Sequence, residues 1–179
     1  MPRTEIALLR GINVGKAKRI AMADLRKVVE GLGYSDVRTL LNSGNVVFSA
    51  GAAKADHGAR IEKAIVSKLG VSSLVTVLTA AELDTIVREN PLMKHTDQPS
   101  RFLVMVLRDP AAKKLVAPLA KQKWSPDAVE VGTRVVYVWC AQGLLDSKPA
   151  QALIRALGDQ QTARNWATIM KLQAMAAGE

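Results

Sequence analysis

Ile6-Ala7-Leu8-Leu9-Arg10-Gly11-Ile12-Asn13-Val14-Gly15-Lys16-Ala17-Lys18-Arg19 is an unbroken apolar run that ends in a glycine-bracketed basic turn. Side chains alternate between the faces of a strand, so four apolar residues in a row read as a strand buried on both sides, over residues 6–10. Gly11 and Gly15 then permit the tight, left-handed backbone that stops the strand and turns N–H groups outward. Arg10, Lys16, Lys18 and Arg19 add four cations with no acid among them. The stretch reads as the end of a central strand and as a place where an anion can sit.

Working outward, Met22, Leu25, Val28, Val29 and Leu32 recur at helical spacing from Ala21, with Gly33 expected as a left-handed cap. Residues 37–41 and 46–48 read as two strands joined by the turn Asn42-Ser43-Gly44-Asn45. Ile61, Ile65 and Leu69 mark a second helix stopped by Gly70, and residues 74–78 a fourth strand. The order β-α-β-β-α-β is the ferredoxin-like unit, in which the first and third strands are antiparallel neighbours. That pairing sets the Arg10 turn beside the Ser43 turn.

Thr79-Ala80-Ala81-Glu82 is a capping box that opens a connecting helix ending near Asn90-Pro91. Residues 101–108 read as a strand, Asp109-Pro110 as the capped start of a helix, and residues 129–139 as a hairpin turned at Gly132. A helix after Ser147 ends at Gly158, and a last one is expected to be capped by Thr162 and to run towards Ala176. The fold class is therefore α+β. A ferredoxin-like half is expected over residues 1–79, a connecting helix and loop over 80–100, and a related βαββα half with C-terminal helices over 101–179, packed as one compact body.

The chain has 179 residues, 49% of them hydrophobic and 23% charged, which is the composition of a folded globular protein. Its apolar runs are far shorter than the roughly 20 residues that span a bilayer, and its N-terminus lacks the order of a signal peptide. A cytoplasmic protein without membrane partners, monomeric or homodimeric, is expected. Cys140 is the single cysteine, so no internal disulfide or thiolate metal cage can form. No metal and no cofactor are expected.

The net charge of +9 favours anionic partners, nucleic acid included, although the excess is spread along the chain. A P-loop is excluded: three residues separate Gly11 from Gly15, and Ala17 stands where Ser or Thr would hold Mg²⁺. An RNA-recognition platform is disfavoured because Leu8 and Leu9 occupy the first strand and Phe48 is alone on the third. Paired carboxylates, metal-spaced His/Asp clusters and a Ser-His-Asp order are all missing from the sequence pattern, so whether the chain is an enzyme stays open.

The Arg10 turn, Asn42-Ser43-Gly44-Asn45-Val46-Val47-Phe48 and Thr162-Ala163-Arg164-Asn165-Trp166-Ala167-Thr168 together resemble a bacterial family called domain of unknown function 1697. Ser147-Lys148 completes that pattern. Departures are Lys16 where a second glycine is usual, Ala167 where Asn is common and Pro149 where Leu is common. The resemblance implies a fold and a site but no reaction. The candidate ligand contacts are Arg10, Gly11, Asn13, Gly15, Lys16, Ser43, Gly44, Asn45, Lys148, Arg164, Asn165 and Thr168. They are expected to converge on one cleft for a phosphate-bearing or other anionic small molecule, built from the two turns and the C-terminal helix. Nucleic-acid binding on the same surface and a ligand-free structural module are the alternatives. Asn13 and Asn45 could equally tie their own turns together, and Lys148 could pair with Asp146 or Asp159.

Overall fold

The computed structural model describes residues 1–52 and 55–179. It is an α+β chain of two compact units, Met1–Glu82 with Leu172–Glu179, and Leu83–Lys171.

In the first unit β1 (Arg3–Leu9), α1 (Met22–Glu30), β2 (Ser35–Leu40), β3 (Asn45–Ala50), α2 (His57–Leu69) and β4 (Val75–Thr79) follow one another. The sheet order β2-β3-β1-β4 is antiparallel throughout, as a ferredoxin-like unit requires. Ala7, Leu9, Val46 and Phe48 on the sheet pack with Leu25 and Val29 of α1 and Ile61 and Ile65 of α2. The opposite-facing Ile6, Leu8 and Val47 are buried as well, so both faces of the central strands are dry, as the apolar run predicts. Gly70, at φ +67°, ends α2 in the left-handed region. Gly33 also has positive φ, but α1 stops earlier, at Gly31, whose N–H bonds Lys27 and Val29 carbonyls. Arg38 of β2 donates to the Met175 carbonyl at 2.6 Å, inside this unit.

The second unit repeats the topology. β5 (Phe102–Leu107) is followed by a 3-10 helix at Pro110–Leu115 and by the short α4 (Ala117–Ala120). After them come β6 (Ala128–Val131), β7 (Val135–Trp139), α5 (Lys148–Leu157) and β8 (Gln161–Asn165), in sheet order β6-β7-β5-β8. Leu103, Met105, Val136 and Val138 face Ala150, Leu153 and Leu157 of α5. Two further α-helices are α3 (Ala80–Arg88), opened by the reciprocal Thr79–Glu82 box, and α6 (Trp166–Ala176).

The second half is therefore βαββαβ, and the βαββα expectation is corrected. Thr162 caps no helix; it lies in β8 opposite Val106, with Arg164 opposite Val104. The cap of α6 is Asn165, whose Oδ1 accepts from Thr168 N at 2.9 Å. Polar residues 161–165 hid the strand, yet Ala163 points into the core while Thr162 and Arg164 point the other way, which is strand alternation.

Candidate functional site

The turn after β1 is held by one side chain. Asn13 Oδ1 accepts from Ile20 N at 2.8 Å, and its Nδ2 donates to the Ile20 carbonyl at 2.8 Å and to the Asn42 carbonyl at 2.7 Å. A backbone bond from Asn13 N to the Lys18 carbonyl, 3.0 Å, closes the same loop. The Asn13 amide thus welds the β1–α1 loop to the β2–β3 turn, and the two turns meet at one edge of the first unit. Asn13, at φ +55°, and Lys18, at φ +51°, join Gly11 and Gly15 in the left-handed region. Gly11, Gly15, Lys16, Lys18 and Arg19 are exposed, whereas Ile12 and Ile20 anchor the loop in the core.

Across the edge, Leu8 pairs with Asn45 in register and Leu9 N donates to the Gly44 carbonyl at 2.8 Å. Gly44 has φ +87°, and a Cβ there would lie 2.8 Å from Leu9 Cβ and 2.7 Å from Ile12 Cδ1. Only glycine fits, because both the backbone region and the space exclude a side chain. Ser43 is exposed, but Asn45 is fully buried, its Nδ2 donating to the Leu40 carbonyl and to Ser43 Oγ. Asn13 and Asn45 are therefore turn locks, with amides committed to protein. Arg10 is half-buried, and its carbonyl accepts from Ser73 Oγ at 2.9 Å.

In the second unit the candidates separate. Arg164 lies on the sheet face opposite α5, because it is in register with Val104 while Leu103 and Met105 face that helix. Burial pushes its guanidinium down to about 10, which leaves it charged at neutral pH. Asn165 and Thr168 are joined in the α6 cap. Lys148 is the exposed first residue of α5 and lines a pocket of about 380 Å³ with Lys123, Trp124, Gln142 and Asp146. Lys148 and Arg164 are thus not brought together within their unit. Among the described residues, no cluster of His, Cys, Asp and Glu could hold a metal ion, and no helix is long and apolar enough to cross a membrane. Cys140 is buried at the end of β7, and burial raises its thiol, which suits a core residue better than a nucleophile.

Sequence reasoning missed one group of polar residues. Glu5 of β1, Tyr34 before β2 and His57 at the start of α2 come together in the first unit, all nearly inaccessible. No motif joins residues so far apart. The only sequence signal was Glu5 itself, an acid in phase with the core positions Ala7 and Leu9.

A family model described as "Protein of unknown function (DUF1697)" matches residues 3–137. The chain belongs to this family. The family carries no assigned activity, so membership names no ligand. No curated protein matches the chain. Among solved structures, a conserved bacterial protein, SP0830 from Streptococcus pneumoniae, is similar, with a TM-score of 0.81 and 19% sequence identity. The match covers 98% of this chain and 99% of that one, and at this identity it supports the fold alone.

Proposed function

We infer that the first unit binds a phosphate-bearing or other anionic small molecule at the edge formed by the β1–α1 loop and the Ser43–Gly44 turn. The observation that carries this reading is a difference between two copies of one topology. The second unit passes from β5 to its helical layer through Arg108 and Asp109 alone, whereas the first uses residues 10–21 for the same connection. The fold does not require the longer loop. Its Asn13 clamp fixes a left-handed backbone, and three exposed cations, Lys16, Lys18 and Arg19, stand on it. A preformed loop of this kind suits an anion, because outward N–H groups and nearby ammonium and guanidinium groups act together. The half-buried Arg10 at its base adds a fork suited to phosphate or carboxylate.

The competing nucleic-acid reading rests on the +9 charge. Against stacking on the sheet, both faces of β1 and β3 are buried, so no aromatic platform is on offer there.

The test is a thermal-shift screen of the full chain against inorganic phosphate, sugar phosphates, nucleotides, carboxylates and oligonucleotides, repeated with the Lys16→Ala/Lys18→Ala/Arg19→Ala variant. A ligand at 100 times its Kd stabilises the native state by about 2.7 kcal/mol. The reading expects a rise in midpoint with a small anion that the triple variant loses. Arg10→Lys, which keeps the charge and loses the fork, should weaken binding by about 1–3 kcal/mol. Stabilisation by oligonucleotides alone, with a steep salt dependence, favours the nucleic-acid reading. No response to any anion leaves a structural module.

A further inference from the structure

We propose that Glu5 and His57 form a buried proton-controlled latch that fastens the start of α2 to β1 when His57 becomes charged. Glu5 is 1% exposed and His57 6%. One carboxylate oxygen, Oε1, accepts from Arg3 Nε at 2.8 Å. The other, Oε2, and His57 Nε2 have no hydrogen-bond partner among the described residues, and they lie 3.9 Å apart. That gap is too long for a hydrogen bond and short enough for an ion pair. A carboxylate oxygen left without a donor inside a core is costly, and a charged imidazole beside it is the group that removes the cost.

The other ring nitrogen shows where the proton goes. Tyr34 Oη lies 2.6 Å from His57 Nδ1. With neutral His57, the Tyr34 hydroxyl donates to Nδ1 and the ring hydrogen sits on Nε2, aimed at Glu5. On acidification the added proton takes Nδ1, and the hydroxyl turns from donor to acceptor. No heavy atom needs to leave its place for that exchange, and the positive ring then stands opposite the Glu5 carboxylate. Tyr34 and Phe48 meet the imidazole edge-on, at centroid distances of 5.2 and 6.3 Å, and hold its plane.

The charged and titratable groups around the pair come from four places. Arg3 on β1 neutralises one side of Glu5. Tyr34 touches the ring, and Arg60 of α2 lies over the Tyr34 ring at 5.3 Å. Asp56 caps α2 by accepting from Ala59 N, and Glu82 bonds Thr79, the residue in register with Glu5 on β4. None of these supplies a proton to the gap between Oε2 and Nε2. His57 is the first residue of α2, so an ion pair across the gap ties the start of that helix to β1. Because the ion pair exists only with a charged ring, the fastening is gained when His57 takes up a proton and lost when it gives one up.

The test uses imidazole resonances of the full chain between about pH 5 and pH 9, the range in which histidine changes charge. With two histidines in the chain, His95→Asn assigns the signals. The proposal expects the His57 midpoint to fall by about 1 unit or more in Glu5→Gln, the size of effect an opposite charge at this range exerts. It also expects the melting-temperature gap between the wild type and His57→Gln to widen as pH falls. An unchanged midpoint in Glu5→Gln, or a gap that narrows on acidification, overturns it. Should Glu5→Gln not fold, the ring ¹⁵N shifts of the wild type decide. Two donor-like nitrogens in the folded chain at about pH 5.5 support the latch, and a neutral ring there refutes it.

Discussion

The two halves of this chain share a strand order and differ in how they leave their first strand. β5 passes to a 3-10 helix through two residues, with Asp109 Oδ1 accepting from Ala111 N at 2.8 Å as the cap. β1 passes to α1 through a twelve-residue loop whose hydrogen bonds run through the Asn13 amide. The shorter solution shows what the topology needs. The longer one shows what the first half has in addition: four left-handed residues, a half-buried clamp and a row of exposed cations. A fold-level account explains the former and not the latter, which is why the loop carries the functional reading.

The sharpest way to break that comparison is at the hairpin glycines. Gly44→Ala combines a left-handed backbone with overlap on Leu9 Cβ, and is expected to cost about 3 kcal/mol by denaturant unfolding. Gly132→Ala in the second half has no positive φ to strain, and its new Cβ would press on the tips of Val135 and Tyr137. About half that loss is expected, since the overlap on these buried side chains is not compounded by a left-handed backbone. Equal losses would mean that the two turns are equivalent after all.

Each half also buries a tyrosine, and both phenols are raised by burial. Tyr137, which donates to the Ile86 carbonyl at 2.7 Å, is pushed up to about 12, with the Glu89 charge adding to the effect. The neutral phenol is the form that the fold accommodates, so its contribution is intact below about pH 10 and is lost as pH rises towards about 12. Roughly 2–3 kcal/mol of stability should disappear over that interval. Ultraviolet titration checks this, and Tyr137→Phe should remove most of the alkaline loss.

Asn13→Ala removes three hydrogen bonds and leaves the buried Ile20 backbone short of partners, at an expected cost of about 2 kcal/mol. It should also abolish any anion response. Asp109→Ala, the matching change in the second half, removes a single cap and should cost about 0.5–1 kcal/mol. Asn165→Ala should sit near the same value and would confirm the helix start at Trp166.

The reading of the sequence succeeded where one residue type has one physical meaning. The run from Ile6 to Leu9 demanded burial, Thr79 and Glu82 demanded a capping box, and Gly70 demanded a helix stop; all three are present, whereas the left-handed cap expected at Gly33 gave way to an earlier end at Gly31. It failed at Thr162, because a threonine followed by polar residues reads as a helix cap when the neighbouring strand is out of view. At the candidate site, sequence located the two turns that meet. It could not tell which amides face a ligand: Asn13 and Asn45 look alike as letters, and both are locks. The Glu5–His57–Tyr34 group was illegible because its members are brought together by β1, α2 and the approach to β2, a matter of tertiary structure alone.

The hydrogen bond from Arg38 to the Met175 carbonyl has a consequence for the order in which the molecule is made. The first unit is discontinuous, and residues 172–179 are part of it. A nascent chain therefore emerges with its leading sheet complete in strands but unfinished along β2, and it stays so through the synthesis of the whole second unit. Contacts closed across 137 residues are among the slowest to form, because a long loop must be ordered before they repay it. The half that carries the basic loop is the first to be translated and the last to be sealed.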